Sequence, residues 1–202
     1  MKRTLLTTAL VLITLICQAQ ESSMNNADKK IFYVLKAKLG ISQLELLDSS
    51  NINGNITQVD FLLSSRISNK YRLEYGLGFS QFNGNNVYKN EYVDIKNNNF
   101  RLPINLIYNR DFKKNVSLIY GVGVYGIYYA KTDIKSYYEG SGAGINVGAG
   151  VQLGANFKIS DDMSFKILAE VQRDITKIVK PNNIEIRERM NALLGLNFGY
   201  RF

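Results

Sequence analysis

The sequence predicts an all-β chain, an eight-stranded antiparallel up-and-down transmembrane β-barrel, and three observations lead there. Apolar residues alternate with polar or small ones in eight separate segments, the pattern of extended strands with two unlike faces. The links between these segments are alternately short and long, as when strands run up and down between two rims. Glycines gather on the face opposite the apolar one, at Gly76, Gly78, Gly121, Gly123, Gly148, Gly150, Gly195 and Gly199. A water-facing surface has no need of glycine, which weakens strands. The interior of an eight-stranded barrel, by contrast, is so narrow that some positions must be tiny. The apolar face is therefore assigned to the outside, against lipid, and a soluble barrel with a greasy interior is disfavoured.

The chain begins with a different kind of segment. Lys2 and Arg3 precede an apolar run over residues 5–16, and Cys17-Gln18-Ala19 places small residues where a signal peptidase cuts. Residues 1–19 are read as a cleaved secretory signal peptide, residues 20–29 as a short N-terminal extension and residues 30–202 as the barrel. The apolar run is shorter than the roughly 20 residues a spanning helix needs. Lipid attachment at Cys17 is disfavoured by the bulky Ile16. Cleavage removes the only cysteine, so no disulfide supports the fold, although the export route is oxidising.

The eight strands follow in order. Tyr33, Leu35, Ala37, Leu39 and Ile41 oppose Lys36, Lys38, Gly40 and Ser42. Val59, Phe61, Leu63 and Ile67 oppose Gln58, Asp60, Ser64 and Arg66, with Leu62 and Ser65 imperfect members of their faces. Tyr71, Leu73, Tyr75, Leu77 and Phe79 oppose Arg72, Glu74, Gly76, Gly78 and Ser80. Phe100, Leu102, Ile104, Leu106 and Tyr108 oppose Arg101, Pro103, Asn105 and Asn109, where the proline suggests a bulge. The fifth strand covers residues 116–131, and the sixth sets Ile145, Val147, Ala149, Val151, Leu153 and Phe157 against Asn146, Gly148, Gly150, Gln152, Asn156 and Lys158. In the seventh, Phe165, Ile167, Ala169 and Val171 face away from Lys166, Glu170, Gln172 and Asp174. The eighth, residues 188–202, carries Met190, Ala192, Leu194, Leu196, Phe198, Tyr200 and Phe202 on one face.

Short turns are predicted at Ser68-Asn69, at residues 110–114 and at residues 160–162, with both termini on the same rim. Long loops are predicted at residues 43–54, 82–97, 132–142 and 176–186, punctuated by Asn53-Gly54, Asn83-Gly84 and Pro181-Asn182. Aromatics near strand ends form two girdles: Tyr33, Tyr71, Tyr108, Phe157, Phe165 and Tyr200 at the short-turn rim, and Phe79, Phe100 and Tyr128 at the other.

Two resemblances sharpen this reading. The ending Phe198, Tyr200, Phe202 resembles the terminal assembly signal of Gram-negative outer-membrane barrels, which implies the barrel-assembly machinery as a partner during insertion and the outer membrane as destination. Residues 100–108, Phe-Arg-Leu-Pro-Ile-Asn-Leu-Ile-Tyr, followed by the glycine-rich Tyr120-Gly121-Val122-Gly123, resemble the PorT-like outer-membrane β-barrel family over essentially the whole mature chain.

Absent residues exclude several chemistries. With no histidine, a Ser-His-Asp site cannot be built. Losing cysteine as well removes the usual zinc and haem ligands, and Gly140-Ser141-Gly142-Ala143-Gly144 lacks the lysine of a phosphate loop. No cofactor and no enzymatic activity are expected. The net charge of +8, to which Lys2 and Arg3 contribute, is scattered over strands and loops, so lipid headgroups rather than nucleic acid are the expected partner.

Inward-facing positions hold seven cations, Lys36, Lys38, Arg72, Arg101, Lys158, Lys166 and Arg201, and four carboxylates, Asp60, Glu74, Glu170 and Asp174. Charges in so narrow an interior must be paired or hydrated, so these residues form the expected lumen charge network. The expected function is a membrane anchor that displays four surface loops for interaction or adhesion, with a narrow small-solute channel as the alternative.

Overall fold

The computed structural model describes residues 31–46, 50–88, 91–134, 138–141, 144–176, 178–179 and 185–201. The strands are β1 (Phe32–Leu46), β2 (Ser50–Arg66), β3 (Tyr71–Tyr88), β4 (Glu91–Lys113), β5 (Val116–Ile134), β6 (Tyr138–Ser141), β7 (Ile145–Lys158), β8 (Met163–Asp174), β9 (Ile178–Val179) and β10 (Glu185–Tyr200). All but the short β6 and β9 form the wall. Each wall strand pairs antiparallel with the next, and β10 returns to pair with β1 from Tyr33 opposite Tyr200 upward. Closure leaves no open edge, so wall backbone groups are satisfied within the ladder even against lipid. Within the ladder β6 adds to β5 and β9 to β10 at the end where the long links lie. The predicted signal segment and N-terminal extension lie outside the described residues.

Over the first half of the wall, counted from the short turns, the alternation runs as the sequence predicts. Leu39, Phe61, Leu77, Leu102, Leu106, Val151 and Leu194 point outward and are exposed. The inward positions beside them hold mostly buried charges, amides and glycines, with Leu62, Ile107 and Leu193 as buried apolar exceptions and a small cluster of Ile107, Ile119 and Leu168. Aromatic rings mark both edges of this apolar band. Tyr71 and Tyr108 lie 5.2 Å apart and Tyr108 and Tyr120 6.3 Å at the short-turn edge, and Phe79 and Phe100 meet edge-on at 5.9 Å at the other. From Tyr71 to Phe79 is about eight residues, which at about 3.3 Å each and a tilt of about 40° rise roughly 20 Å, close to the apolar height of membrane barrels.

Pro103 does not make the bulge its sequence suggests. The β3–β4 register is the same on both sides of it, with Tyr75 opposite Ile104 and Gly78 opposite Arg101, and pairing is interrupted only at Leu102 and Pro103. On its other side Pro103 stays in the ladder opposite Tyr125. A missing N–H removes hydrogen bonds toward one neighbour without inserting a residue.

Beyond the upper girdle the alternation reverses phase. Leu44, Ile52, Ile56, Phe82 and Ile95 point inward and are almost fully buried. The outward positions around them are polar: Asn53, Asn55, Thr57, Asn83, Asn85 and Lys96 are exposed. This stretch is a water-soluble β-wall with an apolar core, standing on top of a lipid-facing wall with a polar one.

Two predicted loops are corrected accordingly. Residues 43–54 and 82–97 are mostly paired strand, with Leu46 opposite Ser50 and Tyr88 opposite Glu91, and the presumed loop dipeptides put Gly54 directly opposite Gly84. The Phe82 ring lies across both glycines, and a Cβ on either would stand 2.6 Å from it. The third link is also shortened, because β5 continues to Ile134 and pairs with β6.

Candidate functional site

The lumen of the apolar band is the candidate site, and three groups of charges occupy it. Nearest the short turns, the Glu74 carboxylate accepts a hydrogen bond from Lys166 Nζ at 2.6 Å and faces Lys36 Nζ at 3.7 Å. Lys36 also donates to Gln152 Oε1 at 3.2 Å. Arg72, half-buried, donates to Ser64 Oγ at 2.9 Å and covers the Phe32 ring at 4.5 Å. In the middle, Lys38 Nζ sits 3.0 Å from both Asp60 and Glu170. Those carboxylates accept in turn from Gln58 at 2.9 Å and Gln172 at 2.6 Å.

The third group lies just below the apolar cap. Arg101, fully buried, donates to Gln172 Oε1 at 2.6 Å, approaches Glu188 at 3.4 Å and stacks 3.9 Å over the Tyr125 ring. Glu188 accepts from Asn99 at 3.2 Å and Asn191 at 2.5 Å. Asp174 takes four donors: the Tyr125 and Tyr129 hydroxyls at 2.9 and 2.6 Å, Asn146 Nδ2 at 3.0 Å and the Glu188 backbone N–H at 3.1 Å. A carboxylate so surrounded is held as an acceptor by its neighbours, which is how a charge is accommodated away from water.

The structure brings together nine of the eleven sequence-predicted network residues: Lys36, Lys38, Asp60, Arg72, Glu74, Arg101, Lys166, Glu170 and Asp174. Two are placed elsewhere. Lys158 is half-exposed on the short-turn rim, where it pairs with Asp161 at 2.5 Å. Arg201 is also at that rim and donates to Asp162 at 2.7 Å. Both sit at strand ends, where the wall stops and a long side chain reaches water whichever face it starts from. Of the assembly-signal residues, Phe198 and Tyr200 point outward at the short-turn edge, and Phe202 lies outside the described residues.

Glu188 was not foreseen. Opposite Gln43 stands Met190 and opposite Leu44 stands Glu188, so Arg189 is an extra residue in β10. That bulge turns Glu188 inward although its even number puts it on the outward face of the rest of the strand. Tyr125 and Tyr129 share the odd numbering of Gly121 and Gly123, so parity alone identifies them. With these changes the inward charges balance among the described residues: Lys36, Lys38, Arg72, Arg101 and Lys166 against Asp60, Glu74, Glu170, Asp174 and Glu188.

Comparison with known proteins agrees with this architecture. Among solved structures, Neisserial surface protein A is 15% identical, with 85% of this chain and 97% of that one covered and a TM-score of 0.57. The outer membrane protein OprG from Pseudomonas aeruginosa is 16% identical, with coverage of 86% and 96% and a TM-score of 0.54. At these identities the likeness is one of fold. No curated protein matches in sequence. A family model described as the outer membrane protein beta-barrel domain matches residues 7–202, nearly the whole chain. The chain therefore belongs to the outer membrane protein beta-barrel domain family, a Gram-negative type of outer-membrane protein.

Proposed function

We propose that this barrel is a closed, non-catalytic anchor that holds the hairpins at its long-link end outside the cell as a surface for interaction or adhesion. The observation that carries the reading is the sealed interior. Paired charges fill the band, and above them Leu44, Ile52, Ile56, Phe82 and Ile95 are each no more than 2% exposed. An ion crossing the lumen would have to break those pairs and then pass a dry apolar layer, which disfavours the channel alternative.

The hairpins themselves offer contact surface. In outer-membrane barrels the longer connections face outward, and on the β3–β4 hairpin Val87 and Tyr92, paired across the ladder, are each 63% exposed beyond the apolar band. An aromatic beside an aliphatic residue on a water-facing ribbon suits a protein or glycan partner. Neisserial surface protein A is by its name a surface protein, and the same placement is proposed here. The PorT-like resemblance of residues 100–108 fits this class of barrel and carries no secretion role over to it.

Planar-bilayer recording tests closure. The refolded protein is expected to give no discrete conductance, and steady ion-selective steps would replace the anchor with the channel. A photo-crosslinker in place of Tyr92 tests the surface, since the expected adduct with a second molecule on whole cells has to disappear when the probe is moved to lipid-facing Leu77. Export by a cleaved signal peptide and insertion by the barrel-assembly machinery complete the proposal. Deleting Phe202 should then lower outer-membrane yield, and an unchanged yield would remove the assembly role of that residue.

A further inference from the structure

The outer face of the wall carries a cation where its neighbours are apolar. Arg173 is exposed on the outward side of β8, with Val171 and Ile175 two positions either side of it and Ala149 opposite on β7. On β10 the partner of Gln172 is Asn191, so the next residues up, Arg173 on β8 and Met190 then Arg189 on β10, lie side by side. The bulge that turns Glu188 inward leaves Arg189 exposed next to Met190. Adjacent strands are only about 4.8 Å apart, within easy reach for two arginine side chains. Each arginine follows or precedes a carboxylate in the chain, Asp174 and Glu188, but those point into the lumen and are held there by other donors. Among the described residues neither Arg173 nor Arg189 has a side-chain partner.

An unpaired charge on a lipid-facing wall is costly and marks a site where it has something to hold. The wall on either side of the arginines shows what that is. Toward the membrane, Ala169 stands between Leu153 and Leu194, and Ala192 between Val171 and Ile41, so the small residues floor an apolar furrow. Away from the membrane a second groove begins at Ile41 and Met190 and is lined by amides. Gln43 stands opposite Met190 and donates to Asn53 Oδ1 at 3.3 Å, and Asn55 is exposed opposite Ile41. Along one strip the wall thus offers a place for an acyl chain, two guanidinium groups and then amides. The planar forks of arginine match phosphate oxygens in pairs, and amides both donate to and accept from sugar hydroxyls. A glycerophospholipid would fill the furrow and meet the arginines but leave the amides uncontacted.

We infer that this strip of β1, β8 and β10 binds an acylated, phosphorylated glycolipid of the outer leaflet, with its phosphate between Arg173 and Arg189. The inference rests on the outward placement of the long-link end proposed above, and it needs no partner on the hairpins.

Native mass spectrometry of the refolded barrel in neutral detergent, titrated with diphosphorylated lipid A, tests the site. One molecule is expected to bind, and dephosphorylated lipid A is expected to bind about tenfold or more weakly, the loss typical of a hydrogen bond to a charged group. Arg173→Gln and Arg189→Gln should each weaken the wild-type affinity by a similar factor, while Arg110→Gln, at an exposed cation of the short-turn rim, should leave it unchanged. Unchanged affinity in both strip variants, or an equal loss in Arg110→Gln, would overturn the site in favour of general attraction to a basic protein. Phosphatidylglycerol binding as tightly as lipid A would overturn the glycolipid assignment. Should Arg173→Gln fail to fold, Arg189→Gln and the comparison of lipids on the wild type still decide. Orientation is read separately, from labelling of Asn85→Cys on intact cells by a membrane-impermeant maleimide. Labelling without lipid A binding would sink the site alone, and no labelling would remove the outward placement and the outer-leaflet source with it.

Discussion

The wall is one continuous ladder, yet its two halves are built on opposite rules. In the lipid band, Leu39 and Leu77 point out while Lys38 and Glu74 point in. In the cap, on the same strands and with the same period, Leu44 and Phe82 point in while Asn83 and Asn85 point out. The backbone does not distinguish the halves, because a strand places alternate side chains on alternate faces regardless of their chemistry. What differs is the solvent outside. Against lipid, an outward apolar side chain has nothing to gain by turning inward, so most of the narrow lumen is left to polar groups that pair with one another, beside a small apolar cluster of Ile107, Ile119 and Leu168. Against water, the hydrophobic effect returns and the apolar set must be inside.

The two halves should therefore fail by different mutations. The largest effect is expected from Glu74→Ala, which strips Lys36 and Lys166 of the carboxylate between them. Removing one partner of a buried pair costs about 3–5 kcal/mol. Urea unfolding in lipid vesicles should show that loss, while Leu77→Ala on the same strand, which exchanges one apolar contact with lipid for another, should move the midpoint little. Equal shifts for the two would break the distinction between lumen and lipid face.

In the cap the sensitive class changes. Leu44 is fully buried, and a large-to-small change in a packed core costs about 2–5 kcal/mol. Leu39, five residues earlier on β1 and 65% exposed toward lipid, should tolerate the same truncation. Comparing the two alanine variants by the temperature at which the folded gel band disappears checks this, and a Leu39→Ala loss as large as that of Leu44→Ala would contradict it.

The outer face offers the reverse test. A lysine at Leu39 must enter the apolar band, at a cost of about 2–4 kcal/mol near its middle. A lysine at Asn83, outward and exposed on β3 four residues beyond Phe79, meets water. Folding yield into vesicles should drop for Leu39→Lys and stay level for Asn83→Lys. If both fall, the membrane boundary lies higher than the upper girdle.

The lipid band was legible in the sequence because its two faces differ as strongly as side chains can, over five or more alternations per strand. The cap was not. Its outer face is Asn, Gln and Thr, the composition of loops, and its inner face carries isolated aliphatic residues such as Ile52 and Ile95 that read as exceptions to a pattern established lower down. A phase reversal cancels a period-two signal where it occurs, so paired strand was read as loop.

Within the site, Glu188 was hidden for a related reason. One extra residue at Arg189 shifts parity, and nothing local in the sequence announces it. Lys158 and Arg201 erred the other way: parity places them inward, but parity has no meaning at a rim. Correcting all three leaves equal numbers of inward cations and carboxylates, which no single strand could have revealed.

The smallest predicted effect separates the two faces of one strand pair, β5 and β7. Gly126 and Gly148 are both in the wall, and neither shows in sequence which face needs it. At Gly148 a Cβ would lie 2.1 Å from the Tyr125 ring, which carries Arg101 on its face and donates to Asp174. Moving that ring disturbs the upper charge group, so Gly148→Ala should be destabilising. At Gly126 a Cβ would meet nothing within 4 Å. Glycine in a strand costs roughly 0.5–1 kcal/mol relative to alanine through the freedom of its unfolded chain. Gly126→Ala should thus stabilise the barrel by about that amount, read as a small rise in the urea midpoint with an unchanged slope. A fall in that midpoint would mean that the notch at Gly126 is filled in the membrane, and that a lipid chain seated there contributes to the fold.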